Sequence, residues 1–180
     1  MKKIILFCFL LISFLSGYSQ QDLLAAKNNE ELQKKLDSAL VSSYFITIDD
    51  AGKILEKPSH LKDSTYKYSN GILRYSFDYV ANYVDSTSKG RLFFSYEQYR
   101  DLEMAKNTYT SIKTENEKNN LITALNDIGD DAFLQKDYLN EPFIIIRKGN
   151  KIFKLKVYYV TSQASLDALI STAKLMVSLH

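Results

Sequence analysis

Apolar and polar residues alternate over two long stretches of the chain, and each stretch is broken once by a pair of turn-forming residues. In YKYSNGILRYSFDYV (66–80) the break is Asn70-Gly71. A two-residue hairpin turn needs positive φ at its centre, so Asn-Gly between alternating runs predicts two antiparallel strands. The pairing that follows sets Tyr68 against Leu73 and Tyr66 against Tyr75. The second strand then carries Leu73, Tyr75, Phe77, Tyr79, Ala81 and Tyr83 on one face, with Arg74, Ser76, Asp78 and Asn82 on the other, as expected of a strand with one buried side.

The second stretch, PFIIIRKGNKIFKLKVYYV (142–160), turns at Gly149-Asn150. Pairing about that turn sets Ile146 beside Phe153 and Ile144 beside Leu155, with Val157 on the same face. The reverse face carries Phe143, Ile145, Arg147, Ile152, Lys154 and Lys156. Its mixture of apolar and basic residues is expected of a partly covered sheet face, and these six residues are the candidate interaction surface.

Helical spacing marks three other segments. Leu32, Leu36 and Leu40 form a stripe within Asp22–Leu40; Leu102, Ala105, Tyr109 and Ile112 form a second, with a capping box expected at Ser95 and Gln98 and an end in TENEKNN (114–120). Leu166, Leu169, Ile170, Ala173, Met176 and Val177 form the third, over Ser165–Leu179, with Thr161 or Ser162 as cap. Residues 44–48 and 53–55 read as short strands around a DDAGK turn (49–53), DSTSKG (85–90) as a loop, and 91–96 as a returning strand. The order predicts an α+β fold, an antiparallel sheet of about five to seven strands with helices packed on it.

The first 20 residues, MKKIILFCFLLISFLSGYSQ, place two lysines before a 12-residue apolar run and a small-residue exit. That is the order of a signal peptide, too short for a spanning helix of about 20 residues. Residues 21–180 are then expected to form one domain, periplasmic or secreted, without stable membrane insertion. Cleavage would remove Lys2, Lys3 and the only cysteine, Cys8, leaving a formally neutral chain with no disulfide and no thiol nucleophile. Neutrality gives no basic face for nucleic acid.

Catalytic patterns are sparse. Histidine occurs only at 60 and 180, and the glycines after the leader are isolated, so no catalytic triad and no phosphate-binding loop can be written. His60 reads as an exposed loop residue. Tyrosine is abundant, 13 residues with no tryptophan; Tyr75, Phe77, Tyr79 and Tyr83 could stack against sugars or partner side chains, but the period-2 pattern calls for a buried face there. The acids of IGDDAFLQKD (128–137) do not fit a calcium loop: from Asp127, position 6 falls on Ala132 and position 12 on Tyr138, where glycine and glutamate are needed. Gly129 with Asp130 and Asp131 reads instead as a turn entering a strand through Phe133. No cofactor or metal is expected.

The succession FFSYEQYRDLEMAKNTY (93–109), IGDDAF (128–133), FIIIRKGNKIFKLKV (143–157) and LDALISTAKLMV (166–177) resembles small exported domains of the PsbP-like kind, over most of residues 64–177. The leader ending in YSQ looks like those of the Bacteroidetes group. The resemblance implies an accessory or partner-binding role in the cell envelope and carries over no catalytic residue. The expectation is an exported, non-enzymatic binding domain for a protein or ligand; the alternative is an envelope enzyme using carboxylates or tyrosines.

Overall fold

A computed structural model describes residues 45–82, 90–119, 122–137 and 139–180, all within the unit Val41–His180. The expected signal peptide, the Asp22–Leu40 helix and Tyr83 lie outside the described residues.

Helix α1 (Ile48–Ile54) is followed by β1 (Ser59–Ser69), β2 (Ile72–Ala81) and β3 (Arg91–Gln98). Helix α2 (Leu102–Asn119) leads to β4 (Ile122–Ala124), β5 (Asp131–Lys136), β6 (Pro142–Lys148) and β7 (Lys151–Tyr158), and α3 (Gln163–Ser178) closes the chain. The seven strands form one sheet in the order β1-β2-β3-β7-β6-β5-β4, antiparallel at every pairing. Two meanders, β1–β3 and β4–β7, meet where β3 pairs with β7.

Both hairpin registers follow the turn chemistry. Tyr66 pairs with Tyr75 and Tyr68 with Leu73 around Asn70 and Gly71, both at positive φ. Ile146 pairs with Phe153 and Ile144 with Leu155 around Gly149. The first face packs Phe77, Tyr79, Leu92, Phe94, Ile144, Phe153 and Leu155 under α1 and α3, whose inward residues include Ala51, Ile54, Leu166, Leu169, Ala173 and Met176. Buried hydroxyls stitch this layer: Tyr79 donates to the Ile46 carbonyl at 2.6 Å and Ser165 to the Ile54 carbonyl at 2.5 Å. Ser162 caps α3 by accepting the Ser165 amide.

Three local readings change. DDAGK is not a hairpin turn: Thr47 accepts the Asp50 amide and Asp50 accepts the Thr47 amide, a capping box that starts a helix. His60 lies on β1, exposed, with Nδ1 2.6 Å from the Asn82 side-chain oxygen. Ser95 and Gln98 do not cap α2, because β3 runs to Gln98 between β2 and β7; the Asp101 side chain accepts the Met104 amide instead. The helix then runs through TENEKN to Asn119.

The second face is where the candidate interaction surface must be redrawn. Helix α2 lays Ala105 and Tyr109 over Phe133, Ile145 and Ile152, with Phe143 packed at the margin. Ile145 and Ile152 are 0 % exposed, so neither can meet a partner. The basic members of the set are held in ion pairs: Arg147 with Asp130 at 2.8 Å, Lys154 with Glu97 at 3.2 Å, and Lys156 with Asp137 at 2.6 Å and Glu141 at 3.7 Å. A helix covers the apolar half and internal carboxylates neutralise the remainder.

Candidate functional site

On the β1–β2 hairpin the aromatic residues most open to solvent lie on β1. Phe77 and Tyr79 are core residues, whereas Tyr66 and Tyr68 on β1 are 63 % and 67 % exposed. Their side chains share the first face with Leu73 and Tyr75, beyond the area that α1 and α3 cover, and the Tyr66 ring lies 5.1 Å from that of Tyr75. Rigid, amphipathic rings of this kind give a large contact area at little entropic cost.

Tyr66 and Tyr68 form one wall of an open cleft of about 540 Å³ at the end of the sheet. Three tight connections meet there: the Asn70-Gly71 turn, the β3–α2 junction and the Gly149-Asn150 turn. The second and third are clamped together, with the Tyr99 amide donating to the Asn150 carbonyl at 2.9 Å and Asn150 Nδ2 donating to the Tyr99 carbonyl at 2.6 Å. Gln98, Arg100 and Asn150 supply the polar lining. Tyr96 donates to Gln98 Oε1 at 2.8 Å, which fixes the orientation of that amide, and Arg100 pairs with Asp101 at 3.3 Å on the surface.

Behind this cleft lies a charged cluster on the second face. Glu97 accepts from Arg74 at 3.1 Å, Lys154 at 3.2 Å and the Tyr99 hydroxyl at 2.5 Å. Burial works against the Glu97 charge, yet Tyr99, Lys154 and Arg74 together outweigh it and lower its pKa. Burial, then the bond to Glu97, pushes the Tyr99 phenol far up. Tyr109 is raised likewise by burial and by Asp131, to which it donates at 3.1 Å. At neutral pH Glu97 is thus a carboxylate that accepts from two cations, and Tyr99 a phenol that donates to it.

The IGDDAF turn is architectural. Gly129 has φ +65°, and the Asp130 amide donates to the Arg147 carbonyl while its carboxylate accepts from Arg147 Nη1 and the Gly149 amide, each at 2.8 Å. The Gly149 amide, followed by Arg147, lowers the Asp130 pKa. Asp131 turns the other way, to Tyr109 and Lys113. Among the described residues no three His, Cys, Asp or Glu side chains are grouped to hold a metal, and no helix is long and apolar enough to cross a membrane.

The cleft draws on Gln98, Arg100, Asn150, Tyr66 and Tyr68, none of which belongs to the six residues expected from the strand pattern. The available signal was two tyrosines beside an Asn-Gly turn on a strand with few aliphatic residues. No family model, curated protein or solved structure matches the chain.

Proposed function

We propose that this chain is an exported, non-enzymatic binding domain that takes its ligand in the Tyr66–Tyr68 cleft. One observation carries the reading: two tyrosines more than 60 % exposed stand on a strand, opposite a fixed amide and a guanidinium. Flat rings beside Gln98, Arg100 and Asn150 suit a ligand with an apolar face and a polar rim, such as a pyranose ring, and an open cleft suits a glycan of the envelope. Glu97 is already bonded to Arg74, Lys154 and Tyr99, which supports binding over an enzyme built on that carboxylate or phenol. The leader-like residues 1–20 and the PsbP-like layout support export and an accessory role.

With no tryptophan in the chain, emission comes from its 13 tyrosines, of which Tyr66, Tyr68 and Tyr99 line the cleft, so the signal assigned to the cleft is the part that changes on titration. Titration with a panel of soluble glycans should quench or shift that emission for at least one member, and Tyr66→Ala/Tyr68→Ala should abolish the response while leaving Tm within about 2 °C, as expected of exposed positions. A panel that produces no response, or a response the double variant retains, refutes the assignment.

A further inference from the structure

Tyr68, Leu73 and Gln98 lie in register on β1, β2 and β3 and share the first face, with Tyr66, Tyr75 and Tyr96 in the next row. Exposed aromatic surface therefore stands at one side of the cleft and an amide at the other. The two are separated by two strands, about 10 Å at the usual spacing. That is wider than one pyranose ring.

The bonds already made decide what each polar group still offers. Gln98 Oε1 accepts from the Tyr96 hydroxyl at 2.8 Å, which leaves Nε2 as the donor end of that amide. Asn150 Nδ2 donates to the Tyr99 carbonyl at 2.6 Å, which leaves Oδ1 as an acceptor. The stem of Arg100 passes beside the Asn70-Gly71 turn, where a Cβ added to Gly71 would lie 3.7 Å from its own Cβ. Asp101 accepts Arg100 Nε at 3.3 Å and the Met104 amide at 2.9 Å, so this acid is tied to the start of α2 and meets one edge of the guanidinium. The end-on edge, Nη1 with Nη2, is the fork that meets a carboxylate in two parallel bonds. Among the described residues that line the cleft, none is an aspartate or glutamate.

Resting on the glycan reading of the cleft, we infer that its ligand is an acidic glycan of at least two sugars: one ring stacks on Tyr66 and Tyr68, and a neighbouring uronate presents its carboxylate to Arg100 and Gln98 Nε2. A carboxylate only accepts, and both groups that meet it only donate. A hydroxyl of the same sugar donates to Asn150 Oδ1. A charged donor holds a carboxylate more strongly than a neutral hydroxyl, and the lining carries no acid to repel it. The Arg100 side chain is 78 % exposed, so this preference is screened by salt. The stacking on Tyr66 and Tyr68 is apolar and is not.

Uronate oligomers and their own methyl esters provide the test, because esterification keeps every ring and removes only the charge. Oligogalacturonate, oligomannuronate and oligoglucuronate, each with its ester, are titrated by calorimetry against the protein purified from the producing cell. At least one acid should bind about tenfold or more tighter than its ester, and the advantage should shrink from about 0.05 to about 0.5 M NaCl. Arg100→Gln should erase the difference between acid and ester. Arg100→Lys keeps the charge but loses the fork, and should retain part of it. Thermal melting checks that both variants fold, as expected at an exposed position. Acid and ester binding alike, or a preference that survives Arg100→Gln, overturns the inference; the cleft reading then still stands if Tyr66→Ala/Tyr68→Ala abolishes the binding. Failure of every acid and every ester to bind overturns the acidic ligand, and failure of neutral glycans as well overturns the cleft reading with it.

Discussion

Gly129 and Gly149 both have positive φ, +65° and +56°, and alanine at the two positions should have very different consequences. At Gly149 an added Cβ meets nothing within 4 Å, so the substitution costs only the left-handed backbone, about 1 kcal/mol for a residue with Cβ. At Gly129 the Cβ would sit 2.5 Å from the Arg147 carbonyl oxygen and 2.7 Å from Ile146 Cγ2. The oxygen belongs to β6, between β5 and β7, and it also accepts the Asp130 amide, so it cannot retreat without loosening the turn. Overpacking of this kind adds about 1–3 kcal/mol to the backbone strain, for a total of about 2–4 kcal/mol. At about 2–4 °C per kcal/mol for a domain of this size, Gly129→Ala should lower Tm by roughly 4–16 °C and Gly149→Ala by roughly 2–4 °C. Thermal unfolding followed by circular dichroism measures both. Equal losses at the two sites would refute the close approach of β6 to Gly129, because backbone strain alone predicts equality.

Three further outcomes follow from burial and charge. Asp130 has a lowered pKa in the folded chain, so its contribution is present above the unfolded value near 4 and lost as pH falls through the folded one; the gap in urea midpoint between wild type and Asp130→Asn should shrink from pH 7 to about pH 3, and a constant gap contradicts the Gly149 and Arg147 contacts. Burial, then Tyr75, pushes Tyr96 up to about 12, and Tyr99 and Tyr109 lie higher still. Their contribution is fully present below the unfolded value near 10 and lost as pH rises through the folded values, so these phenols should ionise together with alkaline unfolding; complete tyrosinate absorbance in a folded chain near pH 10 contradicts their burial. Ile145→Ala should cost about 2–5 kcal/mol in urea unfolding, whereas Leu175→Ala on the exposed side of α3 should stay within about 0.5 kcal/mol; a small loss at Ile145 would restore the second face as an open surface.

The two hairpins were legible because their information is local. Asn70-Gly71 and Gly149-Asn150 fix loop length, loop length fixes register, and period 2 then assigns every side chain of four strands to a face. Helix α1 escaped because DDAGK has turn composition, although Thr47 three residues before Asp50 and the spacing of Ala51, Ile54 and Leu55 were helical signals. Ser95 and Gln98 looked like a capping box, but a strand flanked on both sides by β2 and β7 gains two ladders of hydrogen bonds, and no local cap competes with that. The β3–β7 pairing joins strands about 60 residues apart, and nothing near either strand specifies it.

Period 2 says which residues share a face and leaves open how much of that face is covered. Phe143, Ile145, Ile152, Lys154 and Lys156 share one, and what separates them is the landing of α2. The helix leaves β3 near the middle of the sheet and must deliver the chain to β4 at the far edge, four strands away, a distance of about 19 Å at the usual strand spacing. Its 18 residues span about 27 Å, enough to cross β7, β6 and β5 and no reason to turn back over β1 and β2. Ile152, Ile145 and Phe133 lie on that route and are buried; Arg74, Asp78, Arg91 and Glu97 lie off it and pair among themselves. On the first face helix α1 meets only the start of β1, where Ser59 donates to the Ile48 carbonyl, so Tyr66 and Tyr68 farther along keep the alternation of an inward strand and yet stand open to solvent.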